Sequence, residues 1–195
     1  MNVFHCDHCS HLVFFENSQC MQCQELLAFR ADVERIGSLK PAGGDLWRAP
    51  DNAEYRLCAN YTAHNVCNWA VPAADPNPLC LSCRLTVRIP DLGVEGHRES
   101  WYRLENAKRR LLYTLKTLQL PIASRAEDPA RGLTFEFVAD TEGPQGERVL
   151  TGHLNGVITI NLAEADDAER ERRRVTLHEP YRTLLEPMWQ LAQAG

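Results

Sequence analysis

The chain has 195 residues, of which 44% are hydrophobic and 24% charged, with a formal net charge of -5 and a pI near 5.8. This is a globular composition with room for one medium domain or two small ones, and its acidic balance argues against a general attraction to phosphate backbones or anionic lipid. The opening MNVFHCDHCSH lacks a basic segment followed by an apolar run, and no later stretch is long and apolar enough to cross a bilayer. The expectation is a cytoplasmic protein with neither a nucleic-acid nor a membrane partner.

All 8 cysteines precede Arg84, and three of their spacings are C-x2-C. In a reducing compartment thiols stay available as ligands, so this pattern points to metal rather than to disulfides. The first group is Cys6, Cys9, Cys20 and Cys23. Each C-x2-C turn offers two thiolates on one knuckle, and the LVFF segment between them can run as a strand that brings the knuckles face to face. A tetrahedral four-cysteine zinc site needs this arrangement, with sulfurs about 2.3 Å from the ion. His5, His8 and His11 surround the first knuckle, but four thiolates complete the site without them.

KPAGGDLWRAPDN, rich in Pro, Gly and Asp, reads as a linker or turn, and so does PAADPNP. The second group is Cys58, Cys67, Cys80 and Cys83, whose first pair is too widely spaced to share a knuckle. His64 is an alternative to Cys67 as its fourth ligand, and a cross-braced mixture of the two groups is a further alternative. Sequential grouping closes shorter loops. Each lobe has too few residues for a hydrophobic core alone, and zinc binding of about 10–16 kcal/mol is enough to make good that deficit. A closed all-thiolate site has no open position for substrate, so two structural zincs per chain are expected. Rubredoxin-like iron is the alternative metal. It is disfavoured because Ser10 and Gln24 follow the knuckles where such sites commonly carry glycine. Trp47 and Trp69 are read as packing residues over thin cores.

Beyond RIPDLGVEGH, Trp101, Leu104, Ala107, Leu111, Leu115 and Leu118 recur at helical spacing, and Pro121 closes the segment. Lys108, Arg109 and Arg110 are read as its solvated side. LTFEFVAD alternates like a half-buried strand, and TEGPQGE is a turn. RVLTGHLNGVITINL gives two more strands around Asn155-Gly156, a hairpin signal because both residues tolerate positive φ. AEADDAERERRRVTL reads as an exposed helix supported by Asp166–Arg170 and Glu169–Arg173 at i,i+4.

No catalytic set emerges. HEPYR, at 178–182, resembles the opening of the zinc-protease pattern H-E-x-x-H, but Arg182 stands in place of the second histidine and Pro180 interrupts the helix it needs. Taken together, HCDHCSHLVFFENSQC, CNW with CLSCR, WYRLENAKRRLLYTL, TGHLNGVITINLAEADD and EPYRTLL resemble the bacterial family known as "putative zinc-binding metallopeptidase", up to about Leu185. The resemblance implies N-terminal zinc ribbons for scaffolding or recognition, followed by a zincin-like domain. In the family a later helix carries H-E-x-G-H, whereas this sequence continues as EPMWQLAQAG, so no catalytic residue is carried over and the chain is read as stopping before its chemistry. By the same resemblance, VITINL is a candidate edge strand for peptide substrate, and an ordinary edge or internal strand is the simpler reading. His153 is assigned no metal.

The expected fold is therefore α+β. It comprises a first ribbon over 1–45, a second over 46–90, and over 91–195 an incomplete zincin-like domain in which a helix packs on a small, mostly antiparallel sheet before C-terminal helices. The expected function is a zinc-binding protein of a metallopeptidase family without peptidase activity in this chain. The alternative is a zinc-ribbon adaptor that binds a protein or peptide partner.

Overall fold

The computed structural model describes residues 3–130, 132–140, 149–176 and 178. The chain divides into two compact units, Met1–Cys83 and Arg84–Gly195. Among the described residues, no helix is long and apolar enough to cross a membrane.

The first unit begins with a minimal hairpin in which β1 (Phe4–His5) pairs with β2 (Leu12–Val13). Five strands follow: β3 (Leu26–Arg30), β4 (Arg35–Gly43), β5 (Leu46–Arg48), β6 (Glu54–Leu57) and β7 (Trp69–Pro72), with the single-turn helix α1 (Ala59–Thr62) between the last two. They close into a barrel in chain order. Each strand is antiparallel to the next, so with an odd number the first and last run in the same direction. The closing pair, Phe29 with Trp69 and Arg30 with Ala70, is accordingly parallel.

Barrel diameter falls with strand number, and the interior is correspondingly thin. Ala28, Leu39, Ala49, Tyr55 and Ala70 form its buried centre, with Leu26, Trp47, Ala53, Leu57 and Tyr61 packed around it. Three alanines leave space for the one large ring, Tyr55. A second layer is aromatic: the Phe29 ring lies 4.7 Å from Trp69 and 5.2 Å from Phe15, and Phe15 continues to Phe4 at 6.1 Å. This stack joins the N-terminal hairpin to the barrel. Trp69 is fully buried and Trp47 partly so, which makes both packing residues.

The expected boundary at 45/46 falls inside the barrel. Lys40 pairs with Arg48 and Pro41 with Trp47 across the β4–β5 hairpin, so KPAGGDLWRAPDN is two paired strand ends rather than a linker. Its Pro-Gly-Gly punctuation does mark a turn, since Gly43 and Gly44 have φ of 104° and 60°, but punctuation does not reveal whether the flanking pieces pair. The first unit also ends at Cys83, because the following strand belongs to the other unit's sheet.

The second unit contains β8 (Thr86–Arg88), α2 (His97–Thr117), β9 (Thr134–Val138), β10 (Gly152–Leu154), β11 (Val157–Asn161) and α3 (Asp167–Thr176). The sheet order is β10-β11-β9-β8. The α+β class stands, but the pairing differs from the antiparallel expectation: β8–β9 and β9–β11 are parallel, and only β10–β11 is antiparallel. Helix α2 serves as the crossover between parallel β8 and β9. The β10–β11 hairpin turns at Asn155 and Gly156, with φ of 49° and 77°, as their sequence implies. Its second strand then inserts beside β9, which makes β11, the VITIN segment, internal and β10 the edge.

On α2 the apolar residues Trp101, Leu104, Ala107 and Leu111 are buried as expected. So are Lys108 and Arg109, at 0% and 1% exposed, and the solvated-face reading holds only for Arg110. The Lys108 ammonium lies 2.9 Å from Glu105, which is itself fully buried, and 5.4 Å from the ring centres of both Phe135 and Phe137 on β9. A carboxylate partner and two aromatic faces replace the water it loses.

Helix α3 forms as expected, with a different use of its charges. Asp166 accepts from Ala168 N and Glu169 N at 2.8 and 3.0 Å, so it caps the helix start and is occupied there. Among the described side chains, ion pairs along the helix run i,i+3: Arg170 with Asp167, Arg172 with Glu169, and Arg174 with Glu171; the expected Glu169–Arg173 pair falls on a side chain outside them. TEGPQGE, HEPYR after His178, EPYRTLL and the expected helices beyond α3 lie outside the described residues.

Gly37 on β4 has a definite reason to be glycine. A Cβ there would lie 2.9 Å from the Asp7 carboxylate and 3.1 Å from Arg30 Nε, while Asp7 also accepts from Ser38 N at 2.7 Å and Arg30 pairs with Asp51 at 2.7 Å. Gly37→Ala is expected to lower the stability of the first unit by about 1–3 kcal/mol in urea unfolding. Gly152→Ala, where a Cβ meets nothing within 4 Å, is expected to change stability little.

Candidate metal centres

The first centre is built from two knuckles of matching geometry. Cys6 N donates to His11 O and Ser10 N to Cys6 O, both at 2.8 Å; Cys20 N donates to Glu25 O and Gln24 N to Cys20 O, both at 2.9 Å. Each chain reversal needs a left-handed residue after the second cysteine. Ser10 and Gln24 fill that position with φ of 60° and 61°, so a knuckle forms here without glycine, at a backbone cost of about 1–2 kcal/mol per residue. The β1–β2 hairpin holds the first knuckle, and Asp7 within it reaches the backbone of β4.

The four sulfurs of Cys6, Cys9, Cys20 and Cys23 all lie within 4.8 Å of one another. Across the knuckles, Cys6 to Cys23 is 3.7 Å and Cys9 to Cys20 is 3.6 Å. A regular tetrahedron with a metal–sulfur distance of 2.3 Å has sulfur–sulfur edges of about 3.8 Å. The spacing therefore fits a tetrahedral ion, and all eight cysteines are free thiols rather than cystines.

The second centre is set on the barrel. Cys58 directly follows β6, Cys67 stands two residues before β7, and Cys80 and Cys83 arrive on the loop after it. Their sulfurs again lie within 4.8 Å of one another, with Cys67 to Cys80 at 3.7 Å. The group contains Cys67 and not His64, and the two groups are sequential rather than cross-braced. Backbone amides are aimed at three of these sulfurs: Trp69 N to Cys67 and Cys80 N to Cys58 at 3.4 Å, and Cys83 N to Cys80 at 3.5 Å. Such donors stabilise thiolate charge.

The thiols do not ionise alike. The N–H of Cys23 brings the Cys20 thiol down to about 7, while burial pushes the Cys80 thiol well up. Four neighbouring thiols cannot all ionise in the absence of a counter-charge, and a divalent cation supplies it. The donor set thus fits zinc, with neither centre leaving a protein-free position for water.

Among the described residues these are the sole groups of three or more Cys, His, Asp or Glu placed to hold a metal. An open cleft of about 670 Å³ near His97 is lined by Asp140, Asp166 and Glu169. Its carboxylates are already engaged: Asp140 accepts from Val149 N at 2.9 Å, Asp166 caps α3, and Glu169 pairs with Arg172. His153 lies exposed on the edge strand β10. His178 occupies a turn with φ of 56°, and the rest of HEPYR is outside the described residues. Two features have no local signature in the sequence: the reach of Asp7 to Ser38 N on β4, and the burial of the Glu105–Lys108 pair.

Residues 3–94 match a zinc-ribbon domain, and residues 97–188 match the family described as "Putative zinc-binding metallo-peptidase". Over these residues the chain is similar to those two families, each match covering a little under half of its length. Uncharacterized proteins of Mycobacterium bovis and of two Mycobacterium tuberculosis strains are 44% identical to it over 186 residues, covering 95% of this chain and 50% of each relative. The chain thus spans about half the length of these relatives. No solved structure matches it.

Replacing one ligand leaves three, so Cys6→Ser and Cys80→Ser are each expected to lower bound metal by about one ion per chain. Cys80→Ser should also lower the thermal midpoint of the barrel unit. Elemental analysis and circular dichroism check both expectations.

Proposed function

We propose that this chain is the zinc-stapled scaffold region of a metallopeptidase-family protein, with two structural zincs, and that it does not hydrolyse peptides by itself. The observation that carries the proposal is the donor geometry. Each group offers four sulfurs at tetrahedral spacing, so an ion held there is coordinatively closed and has no site at which to activate water. The sequence adds that no H-E-x-x-H occurs in the 195 residues. A cytoplasmic location accords with eight free thiols.

A second reading, an adaptor that captures a protein or peptide partner, is favoured by one feature of the first ribbon. Leu12, Phe14 and Met21 are 46%, 65% and 74% exposed there, and large apolar side chains in such number on a small lobe suit contact with another surface.

The test combines metal analysis with a peptide-cleavage assay on the purified chain. Two zincs and no turnover above a metal-free blank are expected. Chelator-sensitive turnover that persists through purification would sink the scaffold reading.

A further inference from the structure

The two centres hold the same four ligands but present them differently to solvent. In the second, Cys58, Cys67, Cys80 and Cys83 are at most 3% exposed. In the first, Cys6 and Cys20 are buried while Cys9 and Cys23, the second cysteine of each knuckle, are partly open. Their chain neighbours His8, Ser10, Gln22 and Gln24 are all exposed.

We infer that the first centre is an exchangeable, thiol-reactive metal site that releases its ion to chelators and peroxides through Cys9 and Cys23, while the second centre retains its own. This rests on the reading of both centres as zinc sites. The cost of local opening points the same way as the exposure. The first centre's ligands lie on two tight turns, one joining the two-residue strands β1 and β2 and the other between β2 and β3, a small unit to open. In the second centre Cys58 directly follows β6 and Cys67 closely precedes β7, so its buried sulfurs are anchored to two barrel strands and a reagent reaches them only through a larger opening.

The chemistry balances within the first centre. The thiolate of Cys9 or Cys23 attacks one peroxide oxygen, the O–O bond breaks, and hydroxide leaves behind a sulfenic acid. The thiolate across the knuckles then attacks that sulfur: Cys20, 3.6 Å from Cys9, or Cys6, 3.7 Å from Cys23. A sulfur–sulfur bond forms and a second hydroxide departs. Two thiolates have given up two electrons to one peroxide, and the ion, left with two of its four ligands, dissociates. Each open sulfur thus has a buried resolving partner already in reach.

The experiment uses the full chain as purified, its zinc first counted by elemental analysis. Hydrogen peroxide is added with 4-(2-pyridylazo)resorcinol to report released zinc, and samples are quenched over time for differential thiol alkylation and mass spectrometry. Expected is one equivalent of zinc released at least about tenfold faster than the second, with Cys6, Cys9, Cys20 and Cys23 modified first and the barrel's circular dichroism retained. Dithiothreitol and zinc should restore the starting state. Release of both equivalents in one phase, or modification of Cys58, Cys67, Cys80 or Cys83 first, overturns the inference while leaving two structural zincs intact. Fewer than two zincs at the outset, or the visible absorption of iron, overturns the zinc reading and the inference with it.

Discussion

A narrow five-stranded barrel and a two-strand hairpin bury little apolar surface, and the constraint that governs the first unit is how eight thiols are brought together in spite of that. The barrel centre relies on three alanines, Leu39 and Tyr55, a core too thin to enforce close packing of eight sulfurs against their mutual repulsion. A divalent cation held in each group would convert that repulsion into attraction, and its binding energy of about 10–16 kcal/mol would become folding energy. Asp7 and the aromatic stack then pass the constraint on. One ties a metal knuckle to β4, and the other ties the ribbon to the closing strand pair of the barrel.

What the sequence disclosed follows from how local each signal is. The C-x2-C knuckles, the Asn155-Gly156 hairpin and the apolar face of α2 are set by residues a few positions apart, and all three stand in the structure. The barrel was hidden because its strands are short and its closing pair, Phe29 with Trp69, joins residues 40 positions apart. Likewise, nothing in LTFEFVAD or VITINL states that they lie side by side and parallel. Lys108 and Arg109 misled for a physical reason: helical periodicity assigns charge to solvent, and only the tertiary arrangement supplies the Glu105 carboxylate and the two phenylalanine faces that let Lys108 be buried.

The two units carry different parts of the functional account. Geometry speaks to metal in the first unit, where eight thiols form two four-sulfur groups, and the second unit is similar to the metallo-peptidase model, although its described residues hold no metal-ligand group. The relatives that align along nearly the whole chain are about twice its length.

X-ray absorption at the zinc edge of the purified chain tests the central claim most directly. A first shell of four sulfurs near 2.3 Å, averaged over both ions, is the result expected of two closed thiolate tetrahedra. A shell containing nitrogen or oxygen, or an edge belonging to iron in place of zinc, would contradict it.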